Sequence, residues 1–180
     1  MKNMPTTQSL SIVIPVFNAL DETLDCVNSL LESDAKDCSI FLMDDGSEWT
    51  VQDRLRTTFA SVPNVTIVSH FRNRGYTRNI SMGVAQTKTP FVCILNSDTL
   101  LPTVWSGPLL DKIKSDTHLG GIGPLSNAAS YQSIPKIYDE SNGGFSENDG
   151  LGHDSIEREA VSQIVAEFGH GHFVDVPILN

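Results

Sequence analysis

Phe91-Val92-Cys93-Ile94-Leu95-Asn96-Ser97-Asp98-Thr99 is the stretch on which the reading of this chain turns. Five apolar residues stop abruptly at three polar ones, with an acid last. A buried strand delivers a carboxylate to the rim of a sheet in this way. Side chains alternate along a strand, so Asn96 and Asp98 fall on one side of an extended backbone. An acid so placed can hold a divalent cation, and the cation can hold a phosphate. A strand ending in an Asx-type turn accounts for the same residues, because Asn, Ser and Asp all favour such turns. The stretch alone leaves both readings open, and the surrounding chain has to choose between them.

Working outward, Ser11-Ile12-Val13-Ile14-Pro15 reads as a strand ended by proline. Leu24, Val27, Leu30 and Leu31 place an amphipathic helix over Asp21 to Leu31. Ser39 to Met43 is a second buried strand, closed by Asp44-Asp45-Gly46-Ser47. Val51, Leu55 and Phe59 mark a helix, Val65 to Val68 a third strand, and Thr77 to Ala85 a short helix. Phe91 to Leu95 is the fourth strand, with a further helical piece at Leu109 to Ser115. The strands are apolar without alternation, as strands buried on both faces are. The expectation is an α/β fold, a mostly parallel sheet with helices on both faces. Ligands of such sheets bind outside the carboxyl ends of the strands. Pro15 to Asn18, Asp44 to Ser47 and Asn96 to Asp98 should therefore collect at one rim.

From about Gly120 the texture becomes loop-rich. Asp139 to Gly152, with four glycines, reads as a mobile surface loop. Ile156, Ala160, Ile164 and Phe168 predict a helix over His153 to Phe168. Phe173 to Leu179 looks like a strand entry, and a chain that stops there reads as cut short. The expected organisation is a disordered lead over residues 1–10 and one domain over 11–180.

The 180 residues are 39% hydrophobic and 19% charged, enough for a real core. The formal net charge is -10, which argues against a nucleic acid as partner. It leaves room for an anionic ligand held by a metal and a few local arginines. Cys26, Cys38 and Cys93 form no CxxC pair and suggest no zinc site. Their odd number fits a reducing cytoplasm. No apolar run approaches the ~20 residues that span a bilayer. The expected location is the cytoplasm, including peripheral attachment at the inner face of the membrane.

Four motifs line up in order: Ser11-Ile12-Val13-Ile14-Pro15-Val16-Phe17-Asn18, Phe41-Leu42-Met43-Asp44-Asp45-Gly46-Ser47, Asn73-Arg74-Gly75-Tyr76-Thr77-Arg78 and Leu95-Asn96-Ser97-Asp98-Thr99. Together they resemble the nucleotide-sugar-binding half of family-two inverting glycosyltransferases, which have the GT-A fold. Gly123-Pro124-Leu125-Ser126-Asn127 is similar to the bacterial rhamnosyltransferase-like branch. The resemblance covers roughly residues 10–130.

The resemblance implies a nucleoside-diphosphate sugar as donor, UDP-linked first and dTDP- or GDP-linked next. It implies a glycan or lipid-linked hydroxyl as acceptor, and a role in polysaccharide biosynthesis. Pro15, Val16, Phe17 and Asn18 would line the base pocket. Asp45 would accept a hydrogen bond from the base, Gly46 would let the base approach, and Asp44 would turn the loop or cap the next helix. Ser47, Asn73 and Gly75 belong to the same donor-binding set. Arg78 would lie near the pyrophosphate, because guanidinium pairs well with phosphate oxygens. Asn96, Ser97 and Asp98 match the family's DxD motif, with Asn at its first position. Asp98 and Asn96 would hold Mg²⁺ or Mn²⁺, with Asp98 as the charged ligand. The general base is expected beyond Asn180, and Asp149, Asp154, Glu157 and Glu159 look like solvated acids instead. His153, His170 and His172 read as connector residues, and Tyr131 and Trp105 as packing residues.

Two other functions compete. A sugar nucleotidyltransferase would carry a Gly-rich, basic loop after the first strand, and Pro15 to Leu20 has neither feature. A non-catalytic nucleotide-sugar-binding or scaffolding module with a degenerate GT-A fold gains weight from Asn96 and from the missing base.

Overall fold

The computed structural model describes residues 9–126, 138–139, 144–145 and 155–169. The chain divides into two compact units, Met1–Gly107 and Pro108–Asn180. The first unit holds a sheet of β1 (Leu10–Val16), β2 (Ser39–Asp44), β3 (Val65–Ser69) and β4 (Phe91–Ile94). Its strand order is β3-β2-β1-β4, and every pairing is parallel. Three helices connect these strands: α1 (Leu20–Leu31), α2 (Trp49–Phe59) and α3 (Tyr76–Val84).

The order follows from right-handed crossovers. From β1 to β3 the chain steps one way across the sheet, which puts α1 and α2 on one face, where they touch each other. The return over α3 to β4 reverses the direction, and α3 packs on β1 and β2 from the opposite face. Ile12, Val13, Ile14, Ile40, Leu42 and Met43 are completely buried between these layers. Burying a side chain of this kind contributes roughly 1.5–3 kcal/mol. Of the two central strands, β1 is buried throughout, and β2 is buried except at Ser39 and Phe41. The edge strands β3 and β4 stay half-exposed, because among the described residues each has a neighbouring strand on one side only.

Two boundaries depart from the sequence reading. Leu10 is already in β1 and is buried, so the expected lead does not reach residue 10. Pro15 does not end β1: it pairs with Met43, and the strand runs on to Val16. The reason lies in the ladder. Val13 accepts a bond from Leu95 N–H, which follows β4, while Val16 accepts one from Asp45 N–H, which follows β2. Alternation points residue 15 toward the β4 side, where its missing N–H ends the β1–β4 pairing and leaves the β2 side intact.

Helix α4 (Ser106–Ser115) crosses the boundary between the units. Its start is fixed within the first unit. The Asp34 carboxylate accepts N–H bonds from Trp105 (3.3 Å), Ser106 (3.2 Å) and Gly107 (2.9 Å). This is how an acid satisfies the open donors of a helix N-terminus. Trp105 is half-buried, and its Nε1 donates to Ser33 Oγ. In the second unit β5 (Tyr138–Asp139) and β6 (Gly144–Phe145) pair antiparallel within the segment read as a loop, and α5 (Ser155–Gly169) forms where the apolar spacing predicted a helix. The strand expected at Phe173 to Leu179 lies outside the described residues, as do Asn127, Tyr131, Asp149, Asp154, His153, His170 and His172. No helix of the described residues is long and apolar enough to cross a membrane.

Candidate active site

The strand order reverses between β1 and β4, so the crevice of an open parallel sheet falls beyond their carboxyl ends. Phe17 and Asn18 follow β1, and Asn96 to Asp98 follow β4. The three polar clusters do meet at one rim, and a web of hydrogen bonds joins them.

The first joint ties the ends of β1 and β2. Asn18 takes a left-handed backbone, φ 58°, which Asn tolerates better than most residues. Its N–H donates to Ser47 Oγ at 2.9 Å, and its Oδ1 accepts from Glu48 N–H at 2.8 Å. Phe17 is left half-exposed at the rim. Asp44 braces the turn after β2. It is fully buried, and its Oδ1 accepts from Ser47 N–H at 3.0 Å while Oδ2 has no hydrogen-bond partner among the described residues.

The second joint ties β2 to the loop before α3. Asp45 is 3% exposed, and its two oxygens accept the N–H groups of Arg74 (2.8 Å) and Gly75 (2.9 Å). Asn73 Oδ1 also accepts from Gly75 N–H at 2.9 Å. Gly75 has φ +88°, a conformation that favours glycine. Gly46, at φ +80°, is required for a second reason: a Cβ there would lie 2.6 Å from the Arg72 carbonyl carbon and 2.7 Å from Asn73 N. What approaches Gly46 closely is this loop's backbone.

The third joint reaches β4. Tyr76, the first residue of α3, donates its hydroxyl to Asn96 Oδ1 at 3.0 Å. The Asn96 backbone oxygen accepts from Thr99 N–H at 3.2 Å and from Cys26 Sγ at 3.4 Å. Burial pushes the Cys26 thiol up to about 12 and those of Cys38 and Cys93 to about 11, so all three are neutral packing groups.

An open groove of about 510 Å³ lies along the start of α3, lined by Arg74, Gly75, Tyr76, Thr77, Arg78 and Ser81. Arg78, which lines the groove, is exposed, and its guanidinium has no hydrogen bond or ion pair among the described residues. In an acidic chain, an unpaired guanidinium beside a groove suits an anion. Asp98 is exposed and equally without a partner, and Ser97 beside it is half-buried. The described residues contain no cluster of three or more acidic, His or Cys side chains able to enclose a metal. One free carboxylate among oxygen donors fits a hard cation that takes its other ligands from phosphate and water. The basic or glycine-rich phosphate loop of a nucleotidyltransferase is absent, and the first turn of α1 carries Asp21 and Glu22. Those acids repel a triphosphate at that helix end.

Sequence reasoning did not find Tyr76 or Arg74 as site residues. The aromatic start of α3 and the arginine in the loop before it were the available signals.

The parallel sheet and its switch point define an α/β domain of the GT-A, Rossmann-like kind. The chain belongs to glycosyl transferase family 2, whose sequence model matches residues 11–150. It is similar to the glycosyltransferase GlyG of Streptococcus pneumoniae serotype 4, with 25% identity over 140 residues. That match covers 77% of this chain and 43% of the relative, so the matched region spans under half of that protein's length.

Proposed function

We propose that this chain is the donor-binding part of a glycosyltransferase that takes a nucleoside-diphosphate sugar, UDP-linked first among the candidates, together with Mg²⁺ or Mn²⁺. The observation that carries the reading is the joining of the ends of β1, β2 and β4 through Asn18–Ser47, Asp45–Gly75 and Tyr76–Asn96, with Asp98 just after β4 and Arg78 lining the groove at the start of α3. Family membership supports transfer as the reaction class.

In this reading Phe17 and the backbone around Pro15 and Val16 flank the base, and Arg78 pairs with the diphosphate. Asp45 lies under the base pocket and holds its wall, with lone pairs left for a base N–H. Asp98 would hold the cation, which supplies charge neutralisation of the diphosphate as it leaves. The acceptor hydroxyl oxygen attacks the anomeric carbon from the face opposite the diphosphate. The new C–O bond forms as the bond to the diphosphate breaks, the diphosphate departs with the electron pair, and a base takes the hydroxyl proton. That order inverts the anomeric centre. A glycan or lipid-linked hydroxyl is the proposed acceptor.

Calorimetry with UDP, dTDP and GDP in the presence of Mn²⁺ tests the donor site. The reading expects one nucleotide to bind and Asp98→Asn to weaken its metal-dependent part. A folded protein that binds none of the three would remove the donor-site claim.

A further inference from the structure

Asn96 stands where an acid would be the more obvious metal ligand, and its surroundings suggest a different use. A carboxamide has an acceptor end and a donor end, so whichever end the protein holds decides what the other end offers. Here the protein holds the acceptor end: Tyr76 hydroxyl donates to Oδ1 at 3.0 Å. The backbone of Asn96 is fixed by Thr99 N–H and Cys26 Sγ. The exposed Nδ2 donates to no described residue.

The backbone that carries the hydroxyl is itself held in place. Tyr76 directly follows the two backbone N–H groups gripped by Asp45 and opens α3, so its Cα is fixed where the side chain reaches Asn96. An amide N–H₂ is no ligand for a cation. It is a hydrogen-bond donor suited to phosphate or hydroxyl oxygens.

We infer that Tyr76 is a positioning residue that orients the Asn96 carboxamide, so that its N–H₂ donates to an oxygen of the bound nucleotide while Asp98 alone serves the cation. The inference rests on the donor-site reading above. It makes Asn96 a group that binds nucleotide without metal, where an aspartate would be a group that binds metal and repels diphosphate.

The test uses the full 180-residue chain as wild type, Tyr76→Phe and Asn96→Asp, with whichever of UDP, dTDP or GDP the wild type binds. Nucleotide affinity is measured by calorimetry with Mn²⁺ and with a chelator. Mn²⁺ affinity is measured by electron paramagnetic resonance at saturating nucleotide. Tyr76→Phe is expected to weaken nucleotide binding about tenfold both with and without metal, and to leave Mn²⁺ affinity within about twofold. Asn96→Asp is expected to lose metal-free nucleotide binding by at least about tenfold and to hold Mn²⁺ more tightly. Matching melting temperatures for wild type and Tyr76→Phe exclude a loss through misfolding. In the wild type, the Asn96 side-chain amide resonances should shift when nucleotide is added without metal.

A Tyr76→Phe loss seen only in Mn²⁺ affinity would overturn the inference, as would nucleotide affinity unchanged within about twofold in both variants. A wild type that binds no nucleotide removes the donor-site reading itself, and this inference with it. A wild type that binds while both variants bind equally well removes this inference alone.

Discussion

Replacing Asp45 with asparagine tests whether this residue holds the rim together. The side chain is nearly isosteric, so packing is kept and the change is electrostatic. Both carboxylate oxygens accept backbone N–H groups, from Arg74 at 2.8 Å and Gly75 at 2.9 Å. Asparagine supplies one oxygen, so its amide nitrogen must face one of those N–H groups, donor against donor. One charge-assisted bond is lost, worth about 1.5–3 kcal/mol. The survivor becomes a neutral bond of about half its former strength. At 3% exposure, water offers little replacement, and the combined cost is about 2–4 kcal/mol. That is a large share of the roughly 5–15 kcal/mol typical of a domain. Urea unfolding measures it, and native-state hydrogen exchange at the Arg74 and Gly75 amides localises it. Asp44→Asn is the comparison, because it keeps the oxygen that accepts from Ser47 N–H and should cost clearly less. A loss below about 0.5 kcal/mol in Asp45→Asn, with both amides still protected, would refute the clamp. Nucleotide binding is the poorer assay here, since it would fall whether Asp45 touches the base or holds the wall.

Gly46→Ala should destabilise by more than the roughly 1–2 kcal/mol of a left-handed alanine, because its Cβ meets the backbone of Arg72 and Asn73; urea unfolding reads the loss. Asp34→Ala removes the acceptor for three N–H groups before and within α4 and should cost about 0.5–2 kcal/mol, with the exchange of those amides rising first. The three thiols are raised from 9.0 to about 11 or 12 by burial, so they stay neutral in the folded chain while the unfolded chain ionises. Their contribution is therefore complete below pH 9 and is lost as pH rises toward 11–12; alkaline unfolding curves should show stability falling across that window, and a triple Cys→Ala variant should lose this dependence. Asp98→Asn should weaken Mn²⁺ at saturating nucleotide by at least about tenfold, since it removes the free carboxylate of the motif, and electron paramagnetic resonance reads this directly.

The parallel sheet was legible because its strands are apolar without alternation and its helices show clear spacing, as in Ile12 to Ile14 and in Leu24, Val27, Leu30 and Leu31. The gathering of three polar clusters at one rim followed from parallel topology alone. What periodicity could not reveal were bonds between loops about 20 to 70 residues apart. Asp45 to Gly75, Tyr76 to Asn96 and Asp34 to Gly107 all depend on backbone N–H groups or side-chain tips whose positions exist only after the sheet has formed. The Asp-Gly pair at Asp45-Gly46 illustrates this. Its turn character was visible, but its acid serves a loop 29 and 30 residues ahead, and its glycine makes room for that same loop. Pro15 was read as a strand end by its missing donor. It ends the pairing to one neighbour only, and it does so where the crevice opens.

The electrostatics of the rim then follow from how each charge is used. The chain carries a formal charge of -10, which should repel a diphosphate at long range, though screening confines that repulsion to about 10 Å at moderate salt. Within that distance the balance is different. Asp44 is buried against Ser47 N–H, and Asp45 faces two N–H dipoles, so neither carboxylate points its charge outward. Arg72 and Arg78 are exposed and unpaired among the described residues, and Asn96 presents a neutral amide where an acid would add another negative charge. Of the three acids in the strand-end clusters, only Asp98 stands free among the described residues, and a cation shared with the diphosphate would turn that repulsive group into an attractive one. An acidic chain can therefore hold an anionic donor without a basic surface, and raising salt from low to moderate should change nucleotide affinity far less than removing the metal does.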